Sequence, residues 1–249
     1  MLVVAAACSE PPPEAPPASA AAAEAGSLRP APPPPPVPDP RDTRPVLVAF
    51  GDSLTAGYGV DLTEAWPERF QELLDAGGHA VRVVNAGVSG ETSAGGLRRL
   101  PWVLDRQPAA AAIVIALGGN DGLRGIPPDS MAQNLAAMVH EAQGRGLAVL
   151  LSGVPSPPEL GEDYQAAFTE AFRQVAGETG VPLLPSLLEG VAGVRELNQG
   201  DRIHPNAEGA RRLAENVLGA MEPLLAEQDW SRAVPPGEAR KGTGTDREE

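Results

Sequence analysis

Five short apolar runs, each separated from the next by residues of a different periodicity, leave this chain few folds to adopt. The runs are PVLVAFG (45–51), HAVRVVNAG (79–87), AAAIVIALGG (110–119), LAVLLSGVP (147–155) and VPLLP (181–185). Four are almost continuously apolar, as strands covered on both faces are, and the second alternates more. Elsewhere apolar residues recur at helical spacing. One stripe is Trp66, Phe70, Leu73 and Leu74; another is Met131, Leu135, Met138 and Val139. Phe168, Phe172 and Val175 form a third, and Leu213, Ala214, Val217, Leu218 and Met221 a fourth. We assign these residues to core packing alone. Gly77-Gly78, Gly144, Gly146 and Gly180 stand where the helices should stop. Strands that alternate with helices pair in parallel through right-handed crossovers. The expected architecture is therefore a three-layer α/β/α sandwich around a five-stranded parallel sheet.

Outside residues 46–226 the composition changes. Fourteen of the 28 prolines lie in the first 45 residues, among alanines. Such a stretch cannot bury enough apolar surface to offset its ordering entropy, so residues 9–45 read as an extended linker. Residues 227–249 read as a frayed tail. The domain, 46–226, holds 22 acidic and 12 basic residues. That balance disfavours nucleic acid as a partner, because phosphate binding needs a basic face.

The lone cysteine is Cys8, in MLVVAAACSE. Residues 1–8 are similar to the end of a bacterial lipoprotein signal, in which the cysteine is lipidated. They depart from it in lacking a basic segment, in having seven residues before Cys8, and in carrying Ala5 where Leu or Val is preferred. The expectation is a protein of the bacterial cell envelope, periplasmic or tethered to a membrane at Cys8. The linker could hold its domain roughly 100 Å from the bilayer.

In open α/β sheets ligands bind beyond the carboxyl ends of the strands, so the chemistry is expected just after the apolar runs. There the chain reads Gly51-Asp52-Ser53, Asn85-Ala86-Gly87 and Gly118-Gly119-Asn120-Asp121. Ser53 is a nucleophile only if a base takes its proton. Of the domain's three histidines, His79 precedes a strand and His140 lies within a helix. His204, in GDRIHPN, follows Asp201 by three residues. That spacing lets a carboxylate reach Nδ1 and leaves Nε2 free to accept a proton. The oxyanion formed by attack on a carbonyl needs donors, and the Ser53 N–H, the Gly87 N–H and the Asn120 amide are the candidates. Asp52 and Asp121 read as anchors of the strand-end loops through bonds to backbone.

Together these blocks resemble the SGNH hydrolases of the GDSL esterase/lipase superfamily. They are Gly51-Asp52-Ser53-Leu54-Thr55, Asn85 to Thr92, Gly118 to Asp121 and Asp201 to Pro205. The resemblance implies a flavodoxin-like sheet and a serine esterase. It implies Ser53, Asp201 and His204 as the catalytic residues, and Ser53, Gly87 and Asn120 as the oxyanion hole. GGNDGLRGIPP and SGETSAGGLRRLP are similar to the acyl-CoA thioesterase/arylesterase/lysophospholipase branch of the periplasm. That similarity implies a loop, Gly122 to Pro128, that contacts acyl or aryl groups through Leu123, Gly125 and Ile126. Arg124 is expected to pair with a nearby acid. No metal-binding or cofactor motif is present, so the expectation is a monomeric, cofactor-free hydrolase of small acyl or aryl esters or thioesters. The competing expectations are a carbohydrate O-acetyl esterase and a non-catalytic, tethered binding module.

Overall fold

A computed structural model describes residues 42–227 and Trp230; Cys8, the linker up to residue 41 and the rest of the tail lie outside the described residues. Strands β1 (Val46–Gly51), β2 (Arg82–Gly87), β3 (Ala110–Ala116), β4 (Ala148–Ser152) and β5 (Leu183–Leu184) form one sheet. Their order is β2-β1-β3-β4-β5, and every pairing is parallel. Central strand β1 is buried along its whole length, which is why its sequence carries no polar side chain. The alternating run became β2, an edge strand: Val84 and Ala86 are buried, while Arg82, Val83 and Asn85 are partly exposed.

Helices α1 (Ser53–Ala56), α2 (Trp66–Ala76), α3 (Ser93–Asp105), α4 (Gly119–Leu123), α5 (Pro128–Gly144), α6 (Glu162–Thr179) and α7 (Ala207–Glu227) complete the order. One layer is α2 packed on α7; in the other, α5 lies between α3 and α6. The four apolar stripes face the core as expected. Trp66, Phe70, Met131, Leu135, Phe168 and Val217 are fully buried, each burying a side chain worth about 1.5–3 kcal/mol of transfer free energy. Leu73 and Leu218 pack at the margin. Past residue 226, Trp230 is buried and donates its Nε1–H to the Leu225 carbonyl at 3.1 Å. Among the described residues no helix is long and apolar enough to cross a membrane.

The order of strands reverses between β1 and β3, the point beyond whose carboxyl ends sheets of this kind bind their ligands. Ser53 follows β1 and Asn120 follows β3, so both stand at this switch point.

Candidate active site

Ser53 is the first residue of a single helical turn. Asp52 caps that turn, its Oδ1 accepting the Leu54 N–H at 3.0 Å, and Gly57 ends it in the left-handed conformation at φ 74°. A first-turn N–H has no intrahelical acceptor, and the Ser53 N–H has no partner among the described residues. The turn thus presents a hydroxyl and an unpaired amide side by side.

His204 comes from the far end of the chain, on the loop before α7. Gln199 N–H donates to the His204 carbonyl at 2.8 Å, and Asn206 N–H to that of Leu197 at 3.0 Å. The buried Asn198 amide donates to the carbonyls of Val191 and Val194 at 2.6 and 2.7 Å. Arg202 lies at φ 61°, the sole positive φ of a non-glycine residue among those described. This conformation, which costs a side-chain-bearing residue roughly 1–2 kcal/mol, closes the turn around Asp201. The amides of Ile203 and His204 then both reach Asp201 Oδ1 at 3.0 Å. Asp201 Oδ2 lies 2.7 Å from His204 Nδ1, and His204 Nε2 lies 2.9 Å from Ser53 Oγ. Three groups named from the sequence are in hydrogen-bonded series. Partial burial pushes the Asp201 carboxyl up, but the bonds from the His204 ring and the two amides outweigh it and hold the pKa at about 2. It is a carboxylate at any pH near neutrality. The Tyr58 ring packs on the imidazole, centroids 4.6 Å apart. Gln199 Nε2 ties the two loops together by donating to the Tyr58 and Pro205 carbonyls at 2.7 and 2.8 Å.

Asn120 sits in α4, entered through Gly118 at φ 121°. Its Nδ2 donates to Asp52 Oδ2 at 3.1 Å, which leaves its second N–H available. Gly87 does not fit the role expected of it. Its N–H donates to Asn85 Oδ1 at 3.0 Å, and a Cβ built there would strike the backbone of Thr55 and Ala56. The glycine is needed for packing against α1, and its donor is already taken. Gly90, three residues on and not singled out in the sequence, has the free donor that Gly87 lacks. It lies at φ 80°, a conformation that favours glycine, and its N–H has no partner among the described residues. The signal in the sequence was a glycine inside the SGET loop rather than at the strand end.

The loop bearing Gly90 is braced on both sides. Glu91 pairs with Arg99, which also donates to the Ala86 carbonyl at 3.0 Å and lies 4.3 Å over the Phe50 ring. Arg124 donates to the Gly90 carbonyl at 2.9 Å. The expected acidic partner of Arg124 is therefore replaced by a backbone oxygen. Asp121 is fully buried and accepts from Ser93 N–H at 2.8 Å and Ser93 Oγ–H at 2.6 Å, anchoring α4 to α3. In the following loop Leu123 is 57% exposed, and Ile126 offers its carbonyl to the Tyr164 hydroxyl at 2.7 Å. Gly125, at φ 61°, faces the Leu160 side chain. A small recess beside Ser53 and His204 is lined by Leu54, Tyr58, Val60 and Leu213.

An imidazole bonded to a carboxylate through one nitrogen and to a hydroxyl through the other is suited to moving that hydroxyl's proton during acyl transfer. The class that this fold and site define is the serine hydrolases. More narrowly, residues 49–212 match the GDSL-like Lipase/Acylhydrolase family, and the chain belongs to it. It is 45% identical over 179 residues to Esterase TesA of Pseudomonas aeruginosa, which covers 72% of this chain and 89% of the relative. Thioesterase 1/protease 1/lysophospholipase L1 of Escherichia coli K12 is 36% identical over 179 residues, 72% of this chain and 84% of the relative. The crystal structure of the psychrotrophic esterase EstA from Pseudoalteromonas sp., inhibited by monoethylphosphonate, is similar at a TM-score of 0.69 and 33% identity. That similarity spans 73% of this chain and 98% of EstA.

Proposed function

We propose that the chain hydrolyses carboxylic esters and thioesters of acyl or aryl type through an acyl-enzyme on Ser53. The observation that carries this reading is the 2.9 Å separation of His204 Nε2 from Ser53 Oγ while Nδ1 is held by Asp201. Ser53 Oγ bonds to the carbonyl carbon as its proton passes to Nε2. The oxyanion is held by the N–H groups of Ser53 and Gly90 and by the free N–H of Asn120. When the tetrahedral species collapses, the leaving alcohol or thiol takes the proton from His204. Water then repeats the sequence on the acyl-enzyme: His204 takes its proton, the C–Oγ bond breaks, and Ser53 recovers its hydrogen. Asp201 keeps the imidazole in the tautomer that accepts at Nε2 and balances its charge when protonated.

The printed activities of the relatives, esterase and thioesterase 1/lysophospholipase L1, support an acyl substrate. So does the apolar rim formed by exposed Leu123 and Leu160 beside Gly125, with Ile126 partly buried in the same loop. The test is a panel of p-nitrophenyl esters and acyl-CoA thioesters from acetyl to dodecanoyl. A rate that rises with chain length beyond acetyl is expected. Turnover of acetyl esters alone would replace this reading with a carbohydrate O-acetyl esterase, and no turnover of any member would end it.

We infer further that the domain, 46–226, works in the bacterial cell envelope, tethered through a lipid on Cys8. The cysteine directly after an apolar segment and the 37 residues of linker behind it support this. Mass spectrometry of the N-terminal peptide from cells should find Cys8 as the acylated first residue. A free thiol with the preceding residues still attached would remove the tether.

A further inference from the structure

We propose that Asp52 is a positioning residue of the oxyanion hole: its buried carboxylate holds the Asn120 amide and the Ser53 turn in one fixed relation. The proposal rests on the oxyanion reading above and extends it to a residue that touches no substrate.

Asp52 is 3% exposed, wedged between the end of β1 and the start of α4. Each of its oxygens has a separate duty. Oδ1 accepts the Leu54 N–H and so fixes the turn whose first amide belongs to Ser53. Oδ2 accepts one N–H of Asn120 at 3.1 Å. Two of the three donors are thereby referenced to one rigid group. The bond also settles which way the Asn120 side chain points, since only its nitrogen can face a carboxylate. The second N–H then points away from Asp52. The carboxylate acts on the second N–H through direction alone: with the first held, the amide cannot rotate out of place. Room for the contact comes from Gly119, where a Cβ would lie 3.2 Å from Oδ2.

Burial sets this carboxylate at a disadvantage. Loss of water pushes its pKa up to about 6, against the lowering effect of the Leu54 amide, Asn120 and His204. Between the unfolded carboxyl's pKa, about 4, and the folded value the native state holds the extra proton, so stability falls as pH rises through that window. An ionised Asp52 at neutral pH therefore weakens the fold. Capping alone does not require it, because asparagine caps a helix as well as aspartate does. What asparagine cannot do is accept at both atoms.

Asp52→Asn is the informative change. It keeps the volume and one acceptor but must leave either Leu54 or Asn120 without a partner. With p-nitrophenyl butyrate, kcat is expected to fall about 10–100-fold, part of the roughly 10²–10³ lost with a whole oxyanion donor, while KM stays within about threefold. The melting temperature at pH 8 should hold or rise. Asn120→Ala alone should lower kcat about 10²–10³-fold, and the double variant should be no slower than Asn120→Ala, since Asp52 acts through that amide. Asp52→Ala, which removes both acceptors, should be slower than Asp52→Asn because the Ser53 turn is released as well, and should have a lower melting temperature. Wild-type kcat in Asp52→Asn beside a crippled Asn120→Ala would overturn this proposal alone. So would losses that multiply in the double variant, which would mark Asp52 as structural. Wild-type kcat in Asn120→Ala would overturn the oxyanion reading and this proposal with it.

Discussion

Ser53→Ala should lower kcat on p-nitrophenyl esters by about 10⁶-fold, because without the hydroxyl no acyl-enzyme can form and the members of such a site act as a unit. What remains is binding and oxyanion stabilisation, acting on attack by water. The fold should be indifferent. The side chain's hydrogen bond is to His204 Nε2, and a bond of that kind contributes about 0.5–1.5 kcal/mol. Asp52 still caps the turn and the Ser53 amide is untouched. Circular dichroism and the melting temperature should match wild type within a few degrees. A variant that keeps kcat within tenfold of wild type would show that some other group attacks the carbonyl.

Asp201→Asn is expected to cost about 10⁴-fold in kcat with the backbone unchanged. The asparagine oxygen can still receive the Ile203 and His204 amides in place of Oδ1, so the turn at Arg202 persists. Its NH₂ then faces His204 Nδ1, which must become the acceptor. The ring proton moves to Nε2, where it points at Ser53 Oγ and blocks the transfer. Asp201, held at about 2, is ionised throughout an assay range of about pH 6 to 9, so its own titration adds no pH dependence to the loss. Asp201→Ala should be as slow and also less stable, because the two amides lose their acceptor. If Asp201→Asn retained a tenth or more of wild-type kcat, the carboxylate would be an anchor of the turn and no more.

Most of the scaffold was legible because it is periodic. Continuous apolar runs gave β1, β3, β4 and the short edge strand β5, and the one that alternates proved to be the other edge strand, β2. Helix α3 went unread. Its sequence, SAGGLRRLPWVLD, combines two glycines with Pro101, each unfavourable in isolation. Tertiary contacts override that preference: Thr92 and Asp121 hold its first turn, and Gly96 lets it approach Phe50 and Leu117 more closely than any side chain would allow. The hydroxyl, carboxylate and imidazole could be named from their spacing and from the strand-end rule. The donors were harder, because an amide is available only if nothing nearer accepts from it. Asn85 takes the Gly87 N–H, a competition between neighbours that no motif displays. The contacts of Arg124 and Asp52 across the crevice are likewise three-dimensional facts, set by how β2, β3 and β1 end beside one another.

The pair that would exchange the proton is separated by 151 positions along the chain. A polypeptide still emerging from the ribosome carries Ser53 long before His204 has been added. Such a chain is chemically silent until the last loop and α7 have docked. Hydrolytic power is thus born only with completed folding.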